Sequence, residues 1–137
     1  MIVAIVVVAI GLLALALVFA VAIEPGPAPA DVAVAYELAW DRLDFESLWA
    51  LSGAELRDGR SRKSFVAAKQ DAYRGQAGLG RLAARVAVEE MIGGPQAATV
   101  ATRLELRDGT TVRNQVGLVL RDGRWQVVAY ALPPDAG

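Results

Sequence analysis

The chain has 137 residues, 14 of them basic and 15 acidic, and it contains no cysteine and no histidine. The balanced charge offers no basic stripe for nucleic acid. Without cysteine there is no disulfide or thiolate chemistry, and without histidine the commonest metal ligand and the commonest general base near neutral pH are missing.

Residues 1–23 carry no charged or polar side chain. About 20 apolar residues suffice to cross a bilayer core, and a helix pairs its own backbone groups there. The segment therefore predicts a transmembrane helix or signal anchor, with the lipid bilayer as partner. The alternative is a signal peptide cleaved near Ala22, where Ala20-Val21-Ala22 supplies small residues, leaving a secreted domain. A basic leader region is lacking, since the first Lys or Arg is Arg42. Glu24 and Asp31 follow the segment, which favours a single-pass cell-membrane protein with its domain outside. Residues 24–30, with three prolines, read as a linker.

Residues 31–43 predict a first helix. Asp31 is its expected N-cap, and Val32, Ala35, Tyr36, Ala39, Trp40 and Leu43 form its apolar stripe, with Glu37 and Asp41 turned away. A short helix over 45–51 follows, capped by Asp44, and a third helix over 62–74 is capped by Ser61. Glycines 75, 78 and 80 break the pattern. Four strands are expected over 85–92, 97–107, 111–121 and 124–132, with 133–137 as a tail. Two turns share the tripeptide Arg-Asp-Gly, at 107–109 and 121–123, and Asp-Gly between extended segments signals a hairpin. A two-residue loop at Asp108-Gly109 would pair Arg103 with Asn114 and Glu105 with Val112, leaving both sheet faces mixed. The expected fold class is α+β: an N-terminal transmembrane helix, then three helices packed on a curved four-stranded antiparallel sheet.

Asp44-Phe45-Glu46-Ser47-Leu48-Trp49 after Ala39-Trp40, the stretch from Leu56 to Phe65, and the closing hairpin Arg121-Asp122-Gly123-Arg124-Trp125-Gln126-Val127 carry a resemblance. In order and spacing the layout over about 31–132 resembles the nuclear-transport-factor-2-like superfamily, cystatin-like in fold, and within it bacterial members with one N-terminal membrane segment. The resemblance implies N-terminal helices joined to a strongly curved antiparallel sheet, making a cone with an open end. It also implies functions from isomerase, cyclase and dehydratase to plain binding module, so fold does not deliver function. Its enzymes commonly place a carboxylate in the cone, often with a histidine, and no histidine is available here.

Tyr36, Trp40, Asp44, Tyr73, Arg113, Gln115 and Tyr130 are the candidate pocket-lining residues. Each also has a plainer reading: helix cap for Asp44, core packing for the aromatics, solvated strand polarity for Arg113 and Gln115. No constellation marks a catalytic, cofactor or metal site; no phosphate loop, dinucleotide fingerprint or nucleophile elbow occurs. The favoured function is a membrane-tethered, non-enzymatic module that binds a protein partner or small ligand at the cell envelope, with the sheet face open to a partner or a homodimer. The alternative is a small isomerase or lyase using one carboxylate in the cone. That enzyme needs Asp44 or Glu105 to point inward with a tyrosine in reach.

Overall fold

The computed structural model describes residues 26–131 apart from Ala77 and Leu79. The membrane helix expected over 1–23, the cleavage point near Ala22 and the tail 133–137 lie outside those residues. Among the described residues no helix is long and apolar enough to cross a membrane. The single-pass placement and the lipid-bilayer partner therefore find no support in the described structure, and the architecture described here is the α+β domain alone.

Helix α1 spans Pro29–Asp41. It starts before the expected Asp31 because Pro29 takes the first turn, where its missing N–H costs nothing. Ala28 is the N-cap, without a side-chain bond, and Asp31 instead places its charge in the first turn, at the positive end of the helix dipole. The helix ends in a Schellman motif: the Asp44 N–H donates to the Ala39 carbonyl at 2.8 Å and the Leu43 N–H to the Trp40 carbonyl at 3.1 Å. The left-handed position is filled by leucine, Leu43, at φ 53°. A leucine there costs about 1–2 kcal/mol that a glycine would avoid.

Asp44 then caps α2 (Phe45–Leu51), accepting from the Ser47 N–H at 3.2 Å and the Ser47 hydroxyl at 2.6 Å. A 3₁₀ turn at Ala54–Leu56 leads to α3 (Arg62–Ala72), capped by Ser61. On α3, Lys69 lays its ammonium over the Phe65 ring at 5.4 Å and reaches Asp58 at 3.9 Å.

Strands β1 (Ala83–Gly93), β2 (Ala97–Leu106), β3 (Thr111–Arg121) and β4 (Arg124–Ala131) form one antiparallel sheet in chain order. The β2–β3 register differs from the two-residue-loop expectation by one residue. Arg103 faces Arg113, Thr102 faces Asn114 and Leu104 faces Val112. The loop has three residues, Arg107-Asp108-Gly109, closed by the Leu106 N–H donating to the Thr110 carbonyl at 2.8 Å. That single step sorts the faces. Val100, Thr102 and Leu104 now lie with Val112, Asn114 and Val116 toward the helices, while Arg103 and Arg113 share the outer face with Glu89.

Three bulges bend the sheet. Two lie on β1, at Ala84 and Glu89, and one on β4, at Val128. The curved sheet wraps α1, which packs against β1, β2, β4 and α2. The core joins Tyr36, Leu48, Phe65, Val100, Val116, Leu118 and Val127. The β4 edge is covered by the segment after α2: Ser52 bridges to Val127 in parallel sense, and the Gly53 N–H donates to the Val127 carbonyl at 2.7 Å.

Candidate functional site

A helix held inside a cone has more than one buried side. Val32, Ala33, Tyr36 and Ala39 are buried on α1, and so is Glu37, at 1% exposure. The expectation that Glu37 turns away from the core is thus corrected: a single stripe suits a helix lying on a flat surface, and α1 is surrounded on several sides. A carboxylate so deep needs donors, and the sheet provides three. Thr102 Oγ1 donates to Glu37 Oε1 at 2.8 Å, Asn114 Nδ2 donates to Oε1 at 3.1 Å, and the Tyr130 hydroxyl donates to Oε2 at 2.6 Å. Asn114 Nδ2 also donates to the Tyr130 oxygen at 2.8 Å, which fixes the phenol proton on the carboxylate side. Glu37 is the acceptor in each of its own bonds, as suits a carboxylate, and every donor to it is neutral. Hydrogen bonds to a charged group are each worth about 1.5–3 kcal/mol.

Backbone irregularities place these donors. The three-residue loop puts Thr102 and Asn114 opposite each other on the inner face. The bulge at Val128 lets Val127 and Tyr130 both face inward, against Leu118 and Val116; unbroken alternation would turn Tyr130 outward. The Tyr36 ring then meets the Tyr130 ring edge-on, with centroids 5.1 Å apart. Burial, followed by the hydrogen bond to Glu37, pushes the Tyr130 phenol far above its ordinary range, so it remains a donor at neutral pH. Burial raises the Tyr36 phenol as well.

Glu37 and Tyr130 border a cavity of about 350 Å³, a size suited to a small ligand. Its walls are apolar: Leu43, Leu104, Leu106 and Val112, with the rings of Trp40 and Tyr73. The left-handed backbone of Leu43 thus sits at the cavity wall, where strain of this kind often marks a functional site. Asp41 and Leu82 complete the rim. Asp41 Oδ1 accepts from the N–H groups of Leu82 and Ala83 at 2.8 and 2.9 Å, and its carbonyl accepts from the Arg81 N–H. The end of α1 is in this way stitched to the start of β1 beside the opening.

Of the sequence candidates, Trp40, Tyr73 and Tyr130 lie on this cavity, and Tyr36 is buried behind Tyr130. Asp44 is exposed and spent as the α2 cap, and Ser47 holds its carboxyl below the usual range. Arg113 pairs with Glu89 at 3.2 Å on the outer face, and Gln115 alternates with buried Asn114 and Val116. Neither Asp44 nor Glu105 serves as the inward carboxylate; Glu105 lies 3.6 Å from Arg103 on the outer face. Glu37, Thr102 and Asn114 were absent from the candidates. The available signal was alternation: Val100-x-Thr102-x-Leu104 and Val112-x-Asn114-x-Val116 each place one polar residue in an apolar face. Among the described residues, no three His, Cys, Asp or Glu side chains gather where they could hold a metal ion.

No family model matches the chain, and no curated protein matches it in sequence. Solved structures do. A Campylobacter jejuni protein named as an NTF2-like (nuclear-transport-factor-2-like) transpeptidase is 17% identical, with a TM-score of 0.58 over 74% of this chain and 97% of that one. An NTF2-like protein of unknown function from Silicibacter pomeroyi is 17% identical, with a TM-score of 0.49 over 75% of this chain and 91% of that one. A protein with a SEC-C motif from Rhodopseudomonas palustris is 14% identical, with a TM-score of 0.47 over 71% and 72%. The expected kinship with membrane-anchored bacterial members is corrected to a likeness of fold, which is what the Campylobacter jejuni match carries. What the likeness to the Campylobacter jejuni protein establishes is that this chain has the nuclear-transport-factor-2-like, cystatin-like fold.

Proposed function

We propose that the cone pocket is the site of a small proton-transfer enzyme of isomerase or lyase type, with Glu37 as its single working carboxylate. The membrane-tethered binding module expected from the sequence gives way to this reading, since no described helix supports the tether and the pocket holds a carboxylate. One observation carries the reading: a carboxylate buried to 1% exposure, served only by neutral donors, borders an apolar cavity. Low dielectric and fixed donors are the surroundings in which a carboxylate works as a base on a weak carbon acid.

The chemistry balances simply. Glu37 takes a proton from a substrate carbon; the C–H bond breaks, an O–H bond forms on the carboxyl, and the electron pair passes into the substrate. The pair then shifts a double bond, with the proton returned at a second carbon, or it expels a leaving group. Thr102, Asn114 and Tyr130 position the carboxylate, and Tyr73, a residue of the cavity wall, is assigned as the donor to the substrate's oxygen.

The test is deuterium exchange at the acidic carbon of two small aromatic ketones, propiophenone and phenacyltrimethylammonium, followed by proton NMR in deuterated buffer. The protein speeds exchange of at least one ketone, and Glu37→Gln lowers that acceleration by about 100-fold or more. Exchange no faster than buffer for both ketones, or equal rates for the Gln variant, overturns the reading.

A further inference from the structure

The charge of the pocket deepens this assignment, on which the following rests only for the location of the site. Glu37 is buried with three neutral donors and no cationic partner. Asp41 also lines the cavity, with its Oδ1 already taken by the Leu82 and Ala83 N–H groups. Among the described lining residues there is no lysine or arginine. Lys69, whose ammonium lies 5.8 Å from the Trp40 ring, is not on the wall and is directed to Asp58. The remaining walls are aliphatic or aromatic, including the rings of Trp40 and Tyr73.

A buried anion without a counter-charge is costly to desolvate and gains most from a cation that enters its cavity. Aromatic faces favour the same guest, because their quadrupoles attract positive charge most strongly where water is excluded. An anionic ligand meets the opposite: the Glu37 carboxylate and no lysine or arginine among the described lining residues. A neutral apolar ligand fits the walls and leaves Glu37 uncompensated.

We infer that the pocket takes an organic cation, a single ammonium or iminium nitrogen carried on a compact apolar body. The nitrogen sits toward Glu37 and the apolar body lies against Leu43, Leu104 and Val112. For the proton-transfer reading this has a chemical consequence. Removing a proton from the carbon beside an iminium group joins a negative base to a positive substrate and yields two neutral species, a protonated Glu37 and an enamine. An apolar cavity favours that loss of charge.

The experiment is a binding comparison at neutral pH with three probes of similar shape: benzylammonium, benzyl alcohol and benzoate. It uses the full chain and is read by tryptophan fluorescence and by NMR shifts of the Leu43, Leu104 and Val112 methyl groups. Benzylammonium binds about tenfold or more tighter than benzyl alcohol, and benzoate gives no shift of these methyls. Glu37→Gln removes the preference while benzyl alcohol still binds, which separates loss of charge from loss of fold. Leu104→Phe, which fills the cavity and leaves Glu37 in place, weakens benzylammonium and benzyl alcohol alike.

Benzyl alcohol binding as well as benzylammonium, benzoate binding at the same methyls, or a preference that survives Glu37→Gln each overturn the inference. Glu37-dependent exchange of propiophenone with no ammonium preference would sink the cation and keep the enzyme. Ammonium selectivity without exchange of either ketone would do the reverse.

Discussion

The β2–β3 and β3–β4 hairpins carry the same tripeptide, Arg-Asp-Gly, and turn in different ways. At the second, Asp122 and Gly123 both have positive φ, 52° and 74°, and Arg121 pairs directly with Arg124, as in a two-residue type I′ loop. At the first, only Gly109 is left-handed, at φ 90°, and the loop takes three residues. The fourth residue makes the difference. Thr110 donates its N–H and its hydroxyl to Asp108 Oδ1, at 2.9 and 2.6 Å, and this Asx-type turn draws Arg107 out of the ladder. Arg124 occupies the matching place in the second hairpin. This surface turn thus accompanies the register in which Thr102 and Asn114 reach Glu37.

The largest expected effect tests that register. Asn114→Asp places a second carboxyl group within hydrogen-bond distance of Glu37 and destabilises by about 3 kcal/mol or more. Arg113→Asp, one residue away on the outer face, costs under about 1 kcal/mol. Urea unfolding of the two variants decides, and the reverse order would mean that the two-residue register is the true one. Next in size is a pair of deletions. Removing Arg107 leaves a two-residue Asp-Gly loop between the same partners, Leu106 and Thr110, so the register survives at a cost of about 1 kcal/mol or less. Removing Asp122 leaves one residue to turn β3 into β4, and thermal unfolding should show a loss of about 2–3 kcal/mol.

Much of this architecture is legible from the residues alone. The span of β3, the bounds of α2 and the caps at Asp44 and Ser61 all follow from alternation, turn chemistry and side-chain capping. The site was harder to read. Asp-Gly favours a type I′ loop on its own, and only the pairing of Thr110 with Asp108 reverses that. Glu37 looks like a solvated helix charge until α1 is seen inside a cone, and Tyr130 turns inward only because Val128 is an extra residue in its strand. The burial of Glu37 and the inward turn of Tyr130 depend on long-range packing that local pattern does not encode.

Two smaller effects sharpen the contrast between the hairpins. Asp108→Gly forfeits both bonds from Thr110 and costs about 1 kcal/mol. Asp122→Gly relieves a left-handed aspartate and is neutral or stabilising by a few tenths of a kcal/mol. Equal losses at the two positions in chemical denaturation would contradict the difference in turn type.

The smallest effect belongs to the clasp at the second hairpin, where Arg121 donates to both oxygens of Glu55 at 2.8 and 2.6 Å. The guanidinium holds the Glu55 carboxyl at about 2, below its ordinary 4.5. A depressed carboxyl stabilises the fold above its unfolded value, and that contribution is lost as pH falls from about 4.5 toward about 2. Arg121→Met should flatten the melting temperature against pH across this interval: it lowers the value slightly at neutral pH, where the pair is exposed and screened, and the two proteins converge as pH falls toward about 2.

The bulges on β1 reach beyond the pocket. This strand is an outer edge of the sheet, and it exposes Val88, Met91 and Ile92. An apolar edge in regular register is a template on which further chains can stack into fibrils. With extra residues at Ala84 and Glu89, the donors and acceptors of β1 fall out of step with any straight incoming strand. The two irregularities that curve the cone therefore also protect the chain from cross-β growth at high concentration.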